Sequence, residues 1–219
     1  MGTRYNPSIV RDGLVLFVDA ANTRSYSGSG LTSYSLIGSV SGTLVNGAGY
    51  GTTNNGYFIF DGTNDYIDFG NTSTVQQSNG TLSVWAKASS PGSSYRGIIA
   101  KQYAYGLFYV DGVLVSYDWG TGSARSTGVN IADSNWKNLV MTYQSGVNNG
   151  TVIYINGSSV LTSTITISNQ ALGNLFAGAE ANASQFAACN IAMFKMYSRV
   201  LTAAEILQNY NATKNRYGL

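Results

Sequence analysis

The feature that most constrains this chain is a recurrence. Short runs alternating apolar with polar residues are separated by clusters of Gly, Asn, Ser and Thr, and the 219 residues contain only two prolines. A period of two sends successive side chains to opposite faces of a strand, and turn residues at this spacing punctuate an antiparallel sandwich rather than a helical bundle. The pattern predicts strands at 14–19, 56–60, 65–69, 81–87, 96–101, 105–110, 113–118, 136–144, 151–155, 159–165, 175–179 and 187–197. Residues 21–48, rich in Gly, Ser and Tyr, read as a long loop with one strand near 41–45. No internal repeat and no linker divides the chain, so one all-β domain is expected.

The C-terminal SRVLTAAEILQNYNATKNRYGL departs from this period. Thr202 followed three residues later by Glu205 has capping-box spacing, and Leu201, Ile206 and Tyr210 can share one helical face. A helix from about 203 to 215 is expected, docked on the sandwich.

Composition narrows the function. Charged residues are 10% of the chain, the formal net charge is +2, and the twelve Lys and Arg are dispersed. Nucleic acid and acidic membrane surfaces are therefore not the expected partners. The opening MGTRYNPSIVRDG lacks the apolar core of an export signal, and its sixth position lacks the Ser or Thr of a myristoylation site. No apolar run approaches the roughly 20 residues that span a bilayer. Cys189 is alone, which rules out an internal disulfide, and the absence of His removes the commonest general base and metal ligand.

The stretch YFIFDGTNDYIDFG, residues 57–70, gathers Asp61, Asp65 and Asp68 in a chain with few acids. Alternation places Phe58 and Phe60 on one face and Ile67 and Phe69 on the same face of a returning strand, with Asp61, Gly62, Thr63 and Asn64 forming the connection of a hairpin. Tyr66 and Asp68 then face away from the core. Asp and Asn side chains cap backbone N–H groups in such turns. The other reading is a cation site built on the same oxygens.

The motifs also carry a resemblance. FDGTNDYIDFG, GLVLFVDAAN (13–22), WKNLVMTYQSGVNNGTVIYINGSSV (136–160) and IAMFKMYSRVLTAAEI (191–206) follow in order as they do in laminin-G-like, concanavalin A-like lectin/glucanase domains. The resemblance implies a jelly-roll β-sandwich of two curved antiparallel sheets with a short C-terminal helix. GLVLFVDAAN and LQNYNATKNRYGL are most similar to the versions found in tailed-bacteriophage virion proteins, which agrees with the lack of an export signal.

Three chemistries follow from that family. Its glucanases carry two Glu separated by an Asp on one strand, whereas this chain has only Glu180 and Glu205, the latter in the capping box. Glycoside hydrolysis is therefore not expected. Calcium is the candidate cofactor, with Asp61, Asp65 and Asn64 as ligands and Asp19 joining if the loops converge. Carbohydrate binding needs an aromatic platform with polar groups beside it, and Tyr103, Tyr105, Tyr117 and Trp119 are the candidates on the central strands. Alternation assigns Trp85 and Trp136 to the core. Six Asn-x-Ser/Thr sequons, at Asn71, Asn79, Asn149, Asn156, Asn182 and Asn211, are expected by chance in such a composition.

The expected molecule is thus a non-enzymatic surface protein of a tailed-phage virion, serving as a capsid decoration, head-fibre, neck or tail-fibre component. Residues 1–12 form an N-terminal arm and 13–219 the β-sandwich domain. Its partners are other virion subunits in an oligomer, assembled in the host cytoplasm, and host-surface glycan. Deleting the arm should leave a folded domain that no longer assembles. The alternative is a free lectin-like module.

Overall fold

The computed structural model describes residues 8–180 and 184–219. The first seven residues of the expected arm and the Asn182 sequon lie outside the described residues. In chain order the strands are β1 (Leu14–Asp19), β2 (Thr32–Tyr34), β3 (Ser41–Val45), β4 (Gly49–Gly51), β5 (Tyr57–Asp61), β6 (Tyr66–Asp68), β7 (Asn79–Ala88) and β8 (Arg96–Lys101). They continue with β9 (Tyr105–Val110), β10 (Val113–Asp118), β11 (Ser123–Asn130), β12 (Lys137–Gln144), β13 (Thr151–Ile155), β14 (Ser158–Ser163), β15 (Leu175–Ala177) and β16 (Ala188–Tyr197). One helix, α1 (Ala203–Thr213), follows.

Two antiparallel sheets result. The first runs β14-β13-β12-β7-β16-β5-β4, with β1 also pairing with β16; the second runs β11-β10-β9-β8-β15-β6-β3-β2. Between them lies the main core. Leu16, Val18, Phe58, Phe60, Leu82, Val84, Phe194 and Met196 from the first sheet meet Ile67, Phe69, Tyr105, Leu107, Tyr109 and Leu114 from the second. This is the all-β sandwich that the alternation requires.

The opening acidic stretch corrects one expectation. β5 and β6 are not a hairpin: β5 pairs with β16 and β4 in the first sheet, while β6 pairs with β15 and β3 in the second. The connection at 62–65 is an arch that carries the chain across the core. Phe58, Phe60, Ile67 and Phe69 all point inward as alternation demands, but from opposite walls. Gly62 turns the arch at φ +81°, and a Cβ there would sit 2.9 Å from Ala188.

The outer face of the first sheet is closed by α1. Thr202 caps it as expected: its hydroxyl accepts the Glu205 N–H at 3.3 Å, and Glu205 Oε2 accepts the Thr202 N–H at 2.8 Å. The helix ends at Thr213, whose hydroxyl donates back to the Asn209 carbonyl at 2.9 Å, and a 3-10 turn (Lys214–Tyr217) continues the chain. Leu201 and Ile206 pack with Val10, Leu14, Val140 and Tyr154. Residues 8–12 lie against this layer, because Asn209 Oδ1 accepts the Val10 N–H at 2.8 Å and Tyr197 donates its hydroxyl to the Val10 carbonyl at 3.0 Å.

Trp85 is fully buried, but beneath this C-terminal cover rather than between the sheets. It stacks on Tyr217 at 4.0 Å and donates its indole N–H to Thr213 at 2.9 Å. Trp136 is half-buried beside it, 5.1 Å from Tyr217. Arg216 fastens the same end, donating to the carbonyls of Asn54 and Gly56 and to Asp19 Oδ1, each at 2.6 Å. Among the described residues no helix is long and apolar enough to cross a membrane.

Candidate functional site

The outer face of the second sheet has no helix on it. Alternation along β9 sends Tyr105, Leu107 and Tyr109 into the core and Phe108 outward; on β10 it sends Val115 and Tyr117 outward. These outward residues form a separate apolar cluster of Ala100, Phe108 and Val115, flanked by Tyr95, Val110, Tyr117 and Trp119. The rings interlock edge to face. Tyr117 and Trp119 lie 5.1 Å apart at 69°, and Tyr95 and Tyr117 lie 5.6 Å apart at 89°, the arrangement favoured by the aromatic quadrupole. Burial, then the Tyr117 hydroxyl, pushes the Tyr95 phenol above its ordinary pKa.

A cavity of about 290 Å³ opens on this cluster, lined by Tyr95, Phe108, Tyr117 and Trp119 with Gln102, Tyr103, Glu180 and Gln185. Aromatic walls with a few polar groups are the general composition of small-molecule sites. Three of the four sugar candidates, Tyr103, Tyr117 and Trp119, are brought together here. Tyr105 is not. It is fully buried in the core, stacked on Tyr143 at 4.7 Å, and donates its hydroxyl to the Val75 carbonyl at 2.7 Å. Parity puts Tyr105 on the inward face of β9, opposite to Phe108, while Tyr103 escapes the same parity because it stands in the turn before the strand at φ 67°.

Two loops finish the cavity. Trp119 stands on the turn between β10 and β11, which folds over the buried Asp118. That carboxylate accepts N–H groups from Gly120 (3.1 Å), Thr121 (3.3 Å) and Thr166 (2.9 Å) and pairs with Arg125 at 2.6 Å. Burial alone would raise its pKa, but the Thr166 and Thr121 hydrogen bonds and the Arg125 charge outweigh burial and hold it below the ordinary value. Tyr103 is fixed from the opposite side, its carbonyl accepting N–H groups from Ser168 at 3.0 Å and Asn169 at 3.1 Å. Beneath it the fully buried Lys101 donates to Asn71 Oδ1 at 2.6 Å and to the Leu172 and Gly173 carbonyls.

Tyr95, Gln102 and Gln185 are not singled out by the sequence pattern, and Glu180 enters it only as one of the chain's two glutamates. Tyr95, Gln102 and Gln185 sit in connections, where no periodicity marks a face.

The calcium candidates are arranged differently from the expectation. Asp61 Oδ1 accepts the Thr63 N–H at 2.7 Å, Asp65 Oδ2 accepts the Asp61 N–H at 3.3 Å, and the Asn64 carbonyl accepts from Asn46 Nδ2 at 3.0 Å. The acids of the arch thus serve its own backbone. Burial, and to a lesser degree the Asp61 charge, raises the Asp65 carboxyl despite the Asp61 N–H. Asp19 does not converge on the arch: it faces Met193 on β16, five residues from the Ala188 that faces Asp61, and Arg216 holds it. Among the described residues no group of three or more acidic, Cys or His side chains is placed to hold a metal ion.

Comparison with known proteins follows this geometry. The family model of the Concanavalin A-like lectin/glucanases superfamily matches residues 61–207. The binding domain of Paraclostridial Mosquitocidal Protein 1 superposes with a TM-score of 0.69 at 16% identity, covering 91% of this chain and 52% of that one. Trypanosoma rangeli sialidase gives 0.70 at 14%, covering 95% and 34%, and the botulinum neurotoxin serotype D binding domain gives 0.66 at 16%, covering 91% and 51%. This chain thus spans about half the length of the two toxin structures and about a third of the sialidase. At such identities the likeness is one of fold. No curated protein matches the chain. The family match covers more than half of the sequence, from the end of β5 into α1: the chain belongs to the Concanavalin A-like lectin/glucanases superfamily.

Proposed function

We propose that this protein is a non-enzymatic surface module that binds glycan in the aromatic cleft of its second sheet. The observation that carries the reading is the convergence of Tyr103, Tyr117 and Trp119 with Tyr95, Gln102 and Gln185 on one cavity of about 290 Å³. Aromatic faces can cover the apolar side of a sugar ring while amides meet its hydroxyls. Hydrolysis has less support: among the described residues that line the cleft, Glu180 alone carries a carboxylate, and glycosidases ordinarily place two across the scissile bond. The fold shared with two toxin binding domains is in keeping with a binding role.

The setting we propose is the outside of a tailed-phage particle, as a capsid decoration, head-fibre, neck or tail-fibre component, in contact with other virion subunits. It is supported by the similarity of residues 13–22 and 207–219 to such proteins. Binding is tested by applying the purified protein and its Tyr117→Ala and Trp119→Ala variants to an array of bacterial and host oligosaccharides. Retention of the parent with loss in both variants is expected; equal retention by all three would remove the cleft as the site. Mass spectrometry of purified particles tests the setting, and absence of the polypeptide from them would overturn it.

A further inference from the structure

We propose that the cleft selects uncharged sugars, and that Tyr103 and Gln185 set this choice. The inference rests on the glycan-binding reading above and adds the class of sugar and the residues that discriminate.

Backbone conformation supplies the first observation. Among the described non-glycine residues with positive φ, six are Asn or Asp, whose short side chains tolerate the left-handed region. The other three are Tyr103 (67°), Ser134 (61°) and Gln185 (51°), and two of these line the cleft. Both are held there from outside. Tyr103 is clamped through its carbonyl by Ser168 and Asn169, and the Gln185 carbonyl accepts the Gly97 N–H at 2.9 Å. Strain that the surrounding structure maintains in long side chains concentrates at ligand sites.

The polar lining supplies the second. Gln102 and Gln185 contribute amides, which both donate and accept and so match hydroxyls, and Gln102 Oε1 is a buried acceptor with no partner in the protein. The described lining contains no Lys or Arg and includes the carboxylate of Glu180, which is only 5% exposed. The nearby Arg96 is turned to the Phe186 carbonyl at 3.0 Å and lines a separate cavity with Asp61. An acidic sugar would bring a negative charge into a partly desolvated site whose described lining offers no Lys or Arg to receive it, which selects against it.

The test uses an array carrying neutral, sialylated and uronic-acid oligosaccharides, followed by calorimetry on one neutral hit. The parent protein should retain neutral and not acidic chains. Tyr103→Gly and Gln185→Gly relieve the backbone strain, so both should melt at or above the parent's temperature while losing at least tenfold in affinity. Glu180→Gln should admit acidic oligosaccharides. Preferential binding of acidic chains by the parent would overturn the selectivity while leaving the cleft as a glycan site. Unchanged affinity in both glycine variants would remove the two residues from recognition, and exclusion of acidic chains undiminished in Glu180→Gln would defeat the charge argument. Retention of no oligosaccharide at all would instead bring down the glycan-binding reading, and this inference with it.

Discussion

The Asp118 carboxylate lies buried under the turn that presents Trp119 and takes Arg125 Nη2 at 2.6 Å. The pair joins the cleft to the fold, since the Arg125 Nε also donates to the Thr164 carbonyl at 3.0 Å. Removing one partner of a buried pair leaves the other uncompensated, so Asp118→Ala should cost about 3 kcal/mol. Glycan retention should fall with it because the Trp119 turn loses its anchor. Urea titration beside array retention checks both. A variant with parental stability would show that the pair is dispensable.

Two tyrosines of one sheet should separate stability from binding. Tyr105→Ala empties a core position and should cost about 3–5 kcal/mol, as aromatic-to-Ala changes in packed interiors do. Tyr117→Ala, on the half-buried outer face, should abolish retention with a melting temperature near the parent's. Thermal melts of both variants decide it, and a larger loss of stability in Tyr117→Ala would reverse the assignment of faces.

Lys195 should make stability rise in mild alkali. It is 1% exposed, its Nζ lies 3.2 Å from Met193 Sδ, and burial lowers its pKa to about 8, with Asp19 opposing and Arg216 reinforcing the shift. The unfolded chain, with a Lys pKa of about 10.4, binds more protons between these values, so stability rises with pH across that window. Lys195→Met should add on the order of 2 kcal/mol at pH 7 and reduce the rise. Lys101 is also lowered to about 8 by burial, so part of the rise should survive. Urea midpoints at pH 7 and 9.5 measure this. Two groups oppose the rise, Cys189 from its unfolded value of about 8.5 and Tyr197 from about 10, because burial pushes both up to about 12 and the unfolded chain ionises them first. The lysine effect leads in mild alkali, and these take over at higher pH.

Glu205 should govern the acid side of the helix. The Arg199 guanidinium, then the Thr202 N–H, holds its carboxyl at about 2. Its contribution is complete above the unfolded value of about 4.3 and is lost as pH falls toward 2. Glu205→Gln should flatten that decline, and Thr202→Ala should cost about 1 kcal/mol at neutral pH through the lost cap. Helix content followed by circular dichroism from pH 6 to 2 tests the pair.

Much of the fold was legible because the central strands carry apolar alternation: 14–19, 96–101, 105–110, 113–118 and 151–155 appear with the expected bounds. β11 was missed because SARSTGVN is an edge strand with no buried residue, so nothing apolar marks its period. β2 and β4 are three residues each, too short for a pattern. The arch was read as a hairpin because inward alternation is identical whether two strands pair with each other or face each other across a core. Each instead pairs with one strand close before it, β4 or β3, and one more than a hundred residues away, β16 or β15.

The site was half legible. Tyr103, Tyr117 and Trp119 were found as aromatics on central strands and their turns. Tyr105 was grouped with them because both faces of β9 are apolar, and parity then assigns residues to two sets without saying which set is the core. Gln102 and Gln185 owe their place to backbone turns of positive φ at Tyr103 and at Gln185 itself, which single residue identities do not announce.

The two outer faces of the sandwich are unequal: the first sheet carries α1, the 3-10 turn and residues 8–12, and the second carries the cleft. Both described ends of the chain therefore emerge on the side away from the cavity. Anything tethered through either end meets a wall already sealed by the helix, and the aromatic mouth looks outward into the medium. The sandwich is thus one-sided, with one outer face spent on its own packing and the other left with rings that only a ligand could cover.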